Sequence, residues 1–248
     1  MIIIPARLNS SRFQNKILVD ILGLPMVIRT AKQVSSLDDV TIATDSANVI
    51  ALAKEHGINA IMTSSEHQSG TDRINEAAKK LNLKEDDIVI NVQADEPFIE
   101  VDVIKAVINR VKEVRDNKED IMIVSCHKKI SSQLADDPNH VKVLLNDKGN
   151  ATYFSRSKIP YHRDHYEHAT YNGHLGIYGF TVKSLDEFCK LPSALTEGIE
   201  KLEYTKKTAQ YFDILPAIGQ SETKIAAPAL MVDGELIARG TVWSKDEL

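Results

Sequence analysis

The sequence contains few cysteines and no long apolar stretch. Only two of its 248 residues are cysteines, Cys126 and Cys189. They lie far apart without metal-type spacing, so we interpret them as reduced thiols of a cytoplasmic protein. No segment is apolar over the length that a bilayer requires, and we expect no membrane association. The opening MIII is interrupted by Pro5 and Arg7, too soon for a signal peptide, so we interpret the final KDEL as a coincidental match to a retention address.

The sequence also lacks a large excess of charge of either sign. The 30 Lys and Arg residues nearly balance the 35 Asp and Glu residues, and the formal net charge is -5. Such a balance argues against general binding of nucleic acids. Hydrophobic residues make up 43% of the chain and charged residues 26%, as in an ordinary globular protein. We therefore expect residues 1–248 to form a single domain with a substantial core.

The loop after the first predicted strand has no glycine. The strand-like run MIIIPA leads into PARLNSSRFQNK, residues 5–16. A dinucleotide-binding turn and a Walker loop both need glycines here, because their backbone approaches phosphate groups, so both are excluded. The loop instead contains Arg7, Arg12 and Lys16, whose side chains suit a polyanion. A solvated basic loop is the alternative interpretation of the same residues.

Strand-like and helical patterns alternate through the first half of the sequence. The clearest helix has apolar residues on one face, at Val101, Ile104, Val107, Ile108, Val111 and Val114. The alternation predicts an α/β fold, with a Rossmann-like, mostly parallel sheet and helices on both faces. Ligands of such sheets bind at the carboxyl ends of the strands. Arg7, Asp45 and QADEP, residues 93–97, each fall just past a predicted strand.

The pattern changes after about residue 125. The runs VKVLL and ATYFS flank the turn NDKGN, which predicts an antiparallel hairpin, and a further strand, GHLGIYGF, follows. We interpret residues 128–182 as a smaller antiparallel lobe laid against the sheet. No low-complexity linker separates this lobe from its surroundings, so it is not expected to be an independent domain.

Two carboxylates follow a predicted buried strand. In NVQADEP, the polar residues Asn91, Gln93 and Asp95 alternate with apolar ones, which predicts that they face one side. Mg²⁺ prefers one or two protein carboxylates and takes its other oxygens from water and phosphate, so Asp95 suits a magnesium site. Solvated acidic residues after a strand are the alternative explanation.

Five motifs together resemble one enzyme family. The order and spacing of the CMP-Kdo synthetases (3-deoxy-manno-octulosonate cytidylyltransferases) are matched from residue 1 to about 203 by IPARLNSSR, SGTDRINEA, INVQADEP, NHVKVLLNDKGNATYFSRSKIPYHRD and HLGIYGF. The resemblance implies a fold of the nucleotide-diphospho-sugar transferase type. It also implies transfer of CMP from CTP to the anomeric hydroxyl of Kdo with magnesium, giving CMP-Kdo and pyrophosphate for lipopolysaccharide biosynthesis. The family is usually a homodimer.

The resemblance also implies roles for individual residues. The nucleotide contacts it implies are Arg7, Arg12, Lys16, Ser69 and Arg73. The catalytic residues are Arg7, Lys16 and Asp95, and Asp95 is also a magnesium ligand. The sugar contacts are Gln93, Arg156, Arg163, His174 and Tyr178, and the two arginines suit the carboxylate of Kdo. The remaining histidines lack metal spacing, and we interpret them as surface or loop residues: His127, His140, His162, His165 and His168.

The sequence departs from the family mainly in residues 205–248. The family continues the run IEKLE with Gln-Leu-Arg, whereas Tyr204 follows it here. The family also has a second metal-binding aspartate in a Val-Asp-Thr-Pro segment, and Asp233 is the candidate for it in this chain. The following Gly234 suits a hairpin turn as well as a ligand loop. In the first loop, QNKIL retains only the lysine of the usual Pro-Gly-Lys-Pro, and Ala94 replaces a usual glycine.

Two other functions remain open from the sequence. A cytidylyltransferase for another acidic or amino-modified sugar would have the same nucleotide half, although YFSR and HLGIYGF favour Kdo. An inactive sugar-nucleotide-binding paralogue would account for the altered residues 205–248.

Overall fold

Nine of the described strands form one sheet, on which the fold is built. The computed structural model describes residues 1–8, 15–67, 69–163, 169–191, 212–216, 230–232 and 235–238. In the first half, strands and helices alternate as predicted: β1 (Ile2–Ala6), a 3-10 helix (Lys16–Leu18), β2 (Asp20–Ile21), β3 (Leu24–Pro25), α1 (Met26–Val34), β4 (Val40–Thr44), α2 (Ala47–Glu55), β5 (Asn59–Met62), α3 (Gly70–Lys80), β6 (Ile88–Val92) and α4 (Val101–Asp116).

Strands dominate the second half. Its elements are β7 (Ile123–Ser131), α5 (Ser132–Asp136), β8 (Lys142–Leu145), β9 (Ala151–Ser155), β10 (Thr170–Thr181), α6 (Val182–Cys189), β11 (Phe212–Pro216), β12 (Leu230–Val232) and β13 (Glu235–Ala238). The antiparallel hairpin predicted from VKVLL and ATYFS is confirmed as β8 and β9. In the tail, β12 and β13 also pair antiparallel on either side of residues 233–234.

The sheet changes direction at one strand. Its order is β11-β7-β10-β6-β1-β4-β5, and β8 joins β10 to β9. The strands β6, β1, β4 and β5 run parallel to their neighbours in this group. Strand β10 runs antiparallel to both β6 and β7. The α/β fold with a mostly parallel sheet is therefore confirmed, and the residues of the predicted lobe extend the same sheet.

Alternate residues of the strands fill two cores. In β1, Ile2 and Ile4 pack on one face with apolar residues of α1, α2 and α4. Ile3 lies on the other face with residues of α3 and α6. The side chains of all three isoleucines are fully buried. Because side chains of a strand point alternately to its two sides, helices must cover both faces to bury this pattern.

Side-chain caps fix where several helices begin. Ser46 accepts a hydrogen bond from the Val49 amide at the start of α2. At the start of α6, Thr181 and Ser184 form a reciprocal capping box. Such caps satisfy amide groups that have no partner inside the helix. Among the described residues, no helix has both the length and the apolar character needed to cross a membrane.

Gly179 allows α4 to approach β10 closely. A Cβ atom added to Gly179 would lie 2.8 Å from Cγ1 of Val107 and closer still to Val111. Both valines are buried in α4, and their methyl groups sit on short branched side chains. The helix therefore cannot keep its position against the sheet if this residue gains a side chain.

We expect Gly179→Ala to lower the free energy of unfolding by about 1–3 kcal/mol, because overpacking forces the helix or the valine rotamers to shift. The measurement is the midpoint of urea unfolding at constant slope. Gly176→Ala is the matched control in the same strand, because its added Cβ would lie 3.5 Å from Cγ of Gln93, an ordinary contact. Equal midpoints for the two variants would contradict the packing argument.

Candidate active site

Polar residues gather at the carboxyl edge of the parallel strands. Arg7 follows β1, Asp45 follows β4, and Gln93 follows β6. Residue Ala6 is paired with Thr44, so the ends of β1 and β4 are level. β1 also pairs with β6, which brings the segment that contains Asp95 to the same edge. This is the position at which open α/β sheets bind their ligands.

Lys16 and Asp95 form an ion pair at this edge. Nζ of Lys16 lies 2.7 Å from Oδ2 of Asp95. The lysine begins the short 3-10 helix, and Asn15 before it has a left-handed backbone with φ of 57°. The side chains are 22% and 39% exposed, so both charges remain reachable from solvent. Lys16 is predicted to bind the triphosphate, and Asp95 is predicted to bind the metal ion. In this ion pair their opposite charges neutralise each other.

Arg73 forms a second, more buried ion pair. Its NH2 group donates to Oδ2 of Asp45 at 2.8 Å, and its NH1 group donates to Oγ1 of Thr63 at 2.6 Å. The arginine side chain is 3% exposed. Because Asp45 follows β4 and Thr63 follows β5, the guanidinium holds two neighbouring strand ends together. Contact of Arg73 with the nucleotide remains a prediction.

Ser69 begins helix α3. Its hydroxyl oxygen accepts a hydrogen bond of 3.0 Å from the Asp72 amide, and the hydroxyl donates to Oδ2 of Asp72 at 2.7 Å. The SGTDR segment is therefore ordered by an N-cap, which also places the charge of Asp72 near the positive end of the helix. Ser69 therefore lies at the N-terminus of α3, and its contact with the nucleotide remains a prediction.

The predicted sugar contacts His174 and Tyr178 lie together on β10. Their ring centroids are 5.5 Å apart, and the His174 ring also meets Phe154 edge-on at 4.9 Å. Gln93 packs beside this strand, because its Cγ lies 3.5 Å from the Cβ position of Gly176. The antiparallel pairing of β10 with β6 therefore places Gln93 next to the strand that carries His174 and Tyr178.

Ser125 defines which nitrogen of His174 is protonated. Its Oγ lies 2.7 Å from the Ile177 carbonyl oxygen and 2.9 Å from Nε2 of His174. A carbonyl can only accept, so the single hydroxyl hydrogen goes to Ile177, and Nε2 donates its hydrogen to Oγ. Burial, aided by the nearby His127, lowers the pKa of His174 to about 3. His174 is thus a neutral ring with its hydrogen on Nε2.

The two predicted carboxylate-binding arginines differ in burial. Arg156 follows β9 and is half-buried, and its NH1 group donates to the Pro138 carbonyl oxygen at 2.7 Å. Arg163 is exposed. The Arg156 carbonyl oxygen accepts a hydrogen bond of 2.6 Å from Nζ of Lys142. The position of Arg156 therefore depends on contacts at both its side chain and its backbone.

Several predicted residues lie outside the described part of the chain: Arg12, His165, His168 and Asp233. Within the described residues, no group of three or more His, Cys, Asp or Glu residues could hold a metal ion. Asp95 is thus the described metal candidate, without a cluster around it. The interpretation of His127 as a surface or loop residue is wrong, because it lies on β7 with 7% exposure. Burial lowers the pKa of His127.

Sequence reasoning missed two residues of this region. Ser125 lies in a strand without a motif of its own, and only the irregular pairing of β10 between Leu175 and Tyr178 brings the Ile177 carbonyl to it. Lys142 belongs to the quoted VKVLL run, but a lysine in a strand is normally taken to be solvated. It is fully buried. The roles of both residues become visible only from tertiary contacts, which the sequence alone does not show.

Two relatives with the same name match most of the chain. A 3-deoxy-manno-octulosonate cytidylyltransferase of Nitratiruptor sp. is 53% identical over 206 residues, which cover 82% of this chain and 84% of that protein. The enzyme of the same name from Wolinella succinogenes is 46% identical over 217 residues, which cover 87% of this chain and 89% of that protein.

A solved structure of CMP:2-keto-3-deoxy-manno-octonic acid synthetase in complex with CTP has the same fold. It superimposes with a TM-score of 0.75 at 36% sequence identity and covers 87% of this chain and 88% of that chain. The family model for cytidylyltransferases matches residues 1–215, which include every described residue of the site. With the edge of charged residues on an α/β sheet, these matches show that the chain belongs to the cytidylyltransferase family.

Proposed function

We propose that the chain is a 3-deoxy-manno-octulosonate cytidylyltransferase, which transfers CMP from CTP to the anomeric hydroxyl of Kdo. The product CMP-Kdo would serve lipopolysaccharide biosynthesis. The observation that carries the proposal is the juxtaposition, across β6, of the Lys16–Asp95 pair with the sugar-side strand β10. The relatives at 53% and 46% identity have this activity in their names.

The reaction is a nucleotidyl transfer without a covalent enzyme intermediate. The anomeric oxygen of Kdo forms a bond to the α-phosphorus of CTP, the bond from that phosphorus to the bridging oxygen breaks, and pyrophosphate leaves in line. The protein therefore has to align two anionic substrates and neutralise the triphosphate. Arg7 and Lys16 supply positive charge at the edge of the sheet for this purpose, and Arg12 is assigned to the same loop.

Asp95 suits Mg²⁺ as the cofactor. A single half-exposed carboxylate beside a triphosphate meets the preference of this ion for one or two carboxylates plus water and phosphate oxygens. When bound, the ion would neutralise charge on the transferred phosphoryl group. Asp95 is paired with Lys16, so the lysine would exchange the carboxylate for phosphate when CTP binds. Asp233 remains the proposed second ligand.

The sugar half of the proposal depends on hydrogen-bonding residues and two arginines. Neutral His174 and Tyr178 suit hydroxyl groups of the sugar, together with the amide of Gln93. Arg156 and Arg163 suit the carboxylate, because a guanidinium binds a carboxylate through two parallel hydrogen bonds. Arg73 and Ser69 complete the proposed nucleotide side.

We further propose that the enzyme is a cytoplasmic homodimer, as the family resemblance implies. Residues 1–248 form one nucleotidyltransferase domain in this proposal. Residues 128–182 supply its sugar-binding and dimerisation lobe, and residues 205–248 are a divergent tail. The continuous sheet through β7, β10 and β6 supports one domain.

The purified chain is expected to release pyrophosphate and form CMP-Kdo when it is given CTP, Kdo and Mg²⁺. Both products are measured, because pyrophosphate alone would also arise from hydrolysis of CTP. A parallel reaction replaces Kdo with an amino-modified analogue. Product from the analogue alone would identify the other sugar as substrate, and absence of both products would favour a sugar-nucleotide-binding paralogue without activity.

Asp95→Asn is expected to leave the fold intact and to lower turnover by at least about 100-fold, because the transferred phosphoryl group loses metal-derived charge stabilisation. The assay is pyrophosphate release over a range of Mg²⁺ concentrations. Asp102→Asn is the control, because Asp102 has an 81% exposed side chain and its ion pair is to Lys105 on the same helix. Wild-type turnover with unchanged Mg²⁺ dependence in Asp95→Asn would refute the metal assignment.

His174 is expected to make stability fall as the solution is acidified. Its pKa is lowered to about 3 in the folded chain, whereas an unfolded histidine titrates near about 6.5. Between these values the unfolded state binds the extra proton, so stability is present above about pH 6.5 and declines by up to about 1.4 kcal/mol per pH unit below it.

The measurement is the urea unfolding free energy at several pH values in this window, for the wild type and for His174→Gln. The variant should lose the part of the slope that His174 contributes, although other buried histidines contribute to the rest. Identical slopes in both proteins would contradict the lowered pKa of His174.

A further inference from the structure

Lys142 carries a charge into the interior of the protein. The residue is fully buried in β8. Its Nζ lies 2.6 Å from the carbonyl oxygens of both His140 and Arg156, and 3.4 Å from that of Asp137. An ammonium group has three hydrogens to donate, and burial without hydrogen bonds would be strongly unfavourable. The three carbonyls therefore form the local environment that makes burial of this lysine possible.

These carbonyls come from two separate segments of the chain. Asp137 and His140 flank the turn before β8, whereas Arg156 follows β9. The side chain of Arg156 returns to the first segment, where its NH1 group donates to the Pro138 carbonyl oxygen at 2.7 Å. Lys142 and Arg156 thus join the same two segments, one through its ammonium and the other through its guanidinium.

The position of Lys142 in the sheet connects this arrangement to the sugar side. Its Cα is paired with Ser155 of β9, directly before Arg156, and with Gly173 of β10, directly before His174. The amide of His174 donates to the Val141 carbonyl oxygen at 2.7 Å. Lys142 therefore lies between the two strands that present the proposed sugar contacts.

We propose that Lys142 is a positioning residue for sugar binding, whose buried ammonium holds the backbone at Arg156 so that the guanidinium meets the carboxylate of the sugar acid. The proposal rests on the proposed function, because it takes Arg156 as the carboxylate contact. Lys142 itself does not touch the substrate. Its ammonium reaches Arg156 through the backbone, 2.6 Å from the carbonyl oxygen.

A methionine at this position would keep the length of the side chain and remove the charge and all three donors. The carbonyls of Asp137, His140 and Arg156 would then lack their shared partner. The segment after β9 would lose the Lys142 link to the turn before β8, and the contact of the guanidinium with the Pro138 carbonyl oxygen would remain. CTP binding is expected to be insensitive to this change, because Lys142 pairs with Gly173 in the first half of β10, whereas β6 pairs with the second half, at Ile177–Thr181.

The test is a double-mutant cycle with Lys142→Met, Arg156→Ala and the combined variant, read as the KM values for Kdo and for CTP. Lys142→Met is expected to raise the KM for Kdo about tenfold or more, while the KM for CTP stays within about twofold. In the Arg156→Ala background, the same change should add little, because residues that act through one contact are not additive.

Lys129→Met is the matched control, because Lys129 is an exposed lysine of β7, on the other side of β10, whose Nζ donates to Oδ1 of Asn172 at 2.7 Å. It should leave both KM values unchanged. Lys142→Gln keeps two donors in the buried position and is expected to recover part of the Kdo affinity. This intermediate value separates a missing hydrogen bond from general damage.

Three results would overturn the positioning role. The first is an equal rise of both KM values, and the second is an additive effect of Lys142→Met in the Arg156→Ala background. The third is loss of the folded state in both Lys142 variants, which would make the lysine a determinant of folding. Failure of the wild type to convert CTP and Kdo would instead contradict the proposed function, so the two failures are distinguishable.

Discussion

The arrangement of the site depends on the two neighbours of β6, one of which runs parallel to it and the other antiparallel. On one side, β6 is parallel to β1, so the segments after both strands meet at one edge. On the other side, β10 is antiparallel, with Ile177 opposite Val92 at the end of β6. The first part of β10 therefore continues beyond that edge and carries His174 past Gln93. A parallel strand here would have turned its own carboxyl end to the edge and presented different residues.

Two ion pairs at this edge differ in exposure, and the difference separates their physical roles. Arg73 is 3% exposed and holds Asp45 and Thr63 in a fixed arrangement. Lys16 and Asp95 are 22% and 39% exposed. Exposed ion pairs contribute little to stability because water competes for both charges. The Lys16–Asp95 pair can therefore be exchanged for ligand charges at low cost, whereas removing one partner of the buried pair would leave an uncompensated charge.

The fold could be predicted from the sequence because each helix and strand leaves a local pattern of apolar residues. Apolar periodicity located α4, and alternation of strands and helices predicted the parallel part of the sheet. It also predicted that Arg7, Asp45 and Asp95 follow strands that end together. The contacts between Lys16 and Asp95, or between Arg73 and Asp45, join residues far apart in the chain, and no periodic pattern encodes such a pair. His127 was assigned wrongly because a histidine in a strand gives no local sign of burial.

The twelve-residue strand β10 joins two regions with different demands. Its second half, with Gly179 and Phe180, packs against α4 and in the core, where almost any change of volume is unfavourable. Its first half pairs with β7 and β8, and Tyr171 there packs with Leu134 and Ala135 of α5. Substitutions at the proposed sugar contact His174 in this half would leave the packing of Gly179 against α4 unchanged. A single strand thus combines residues that set the stability of the fold with residues that are proposed to select the acceptor sugar.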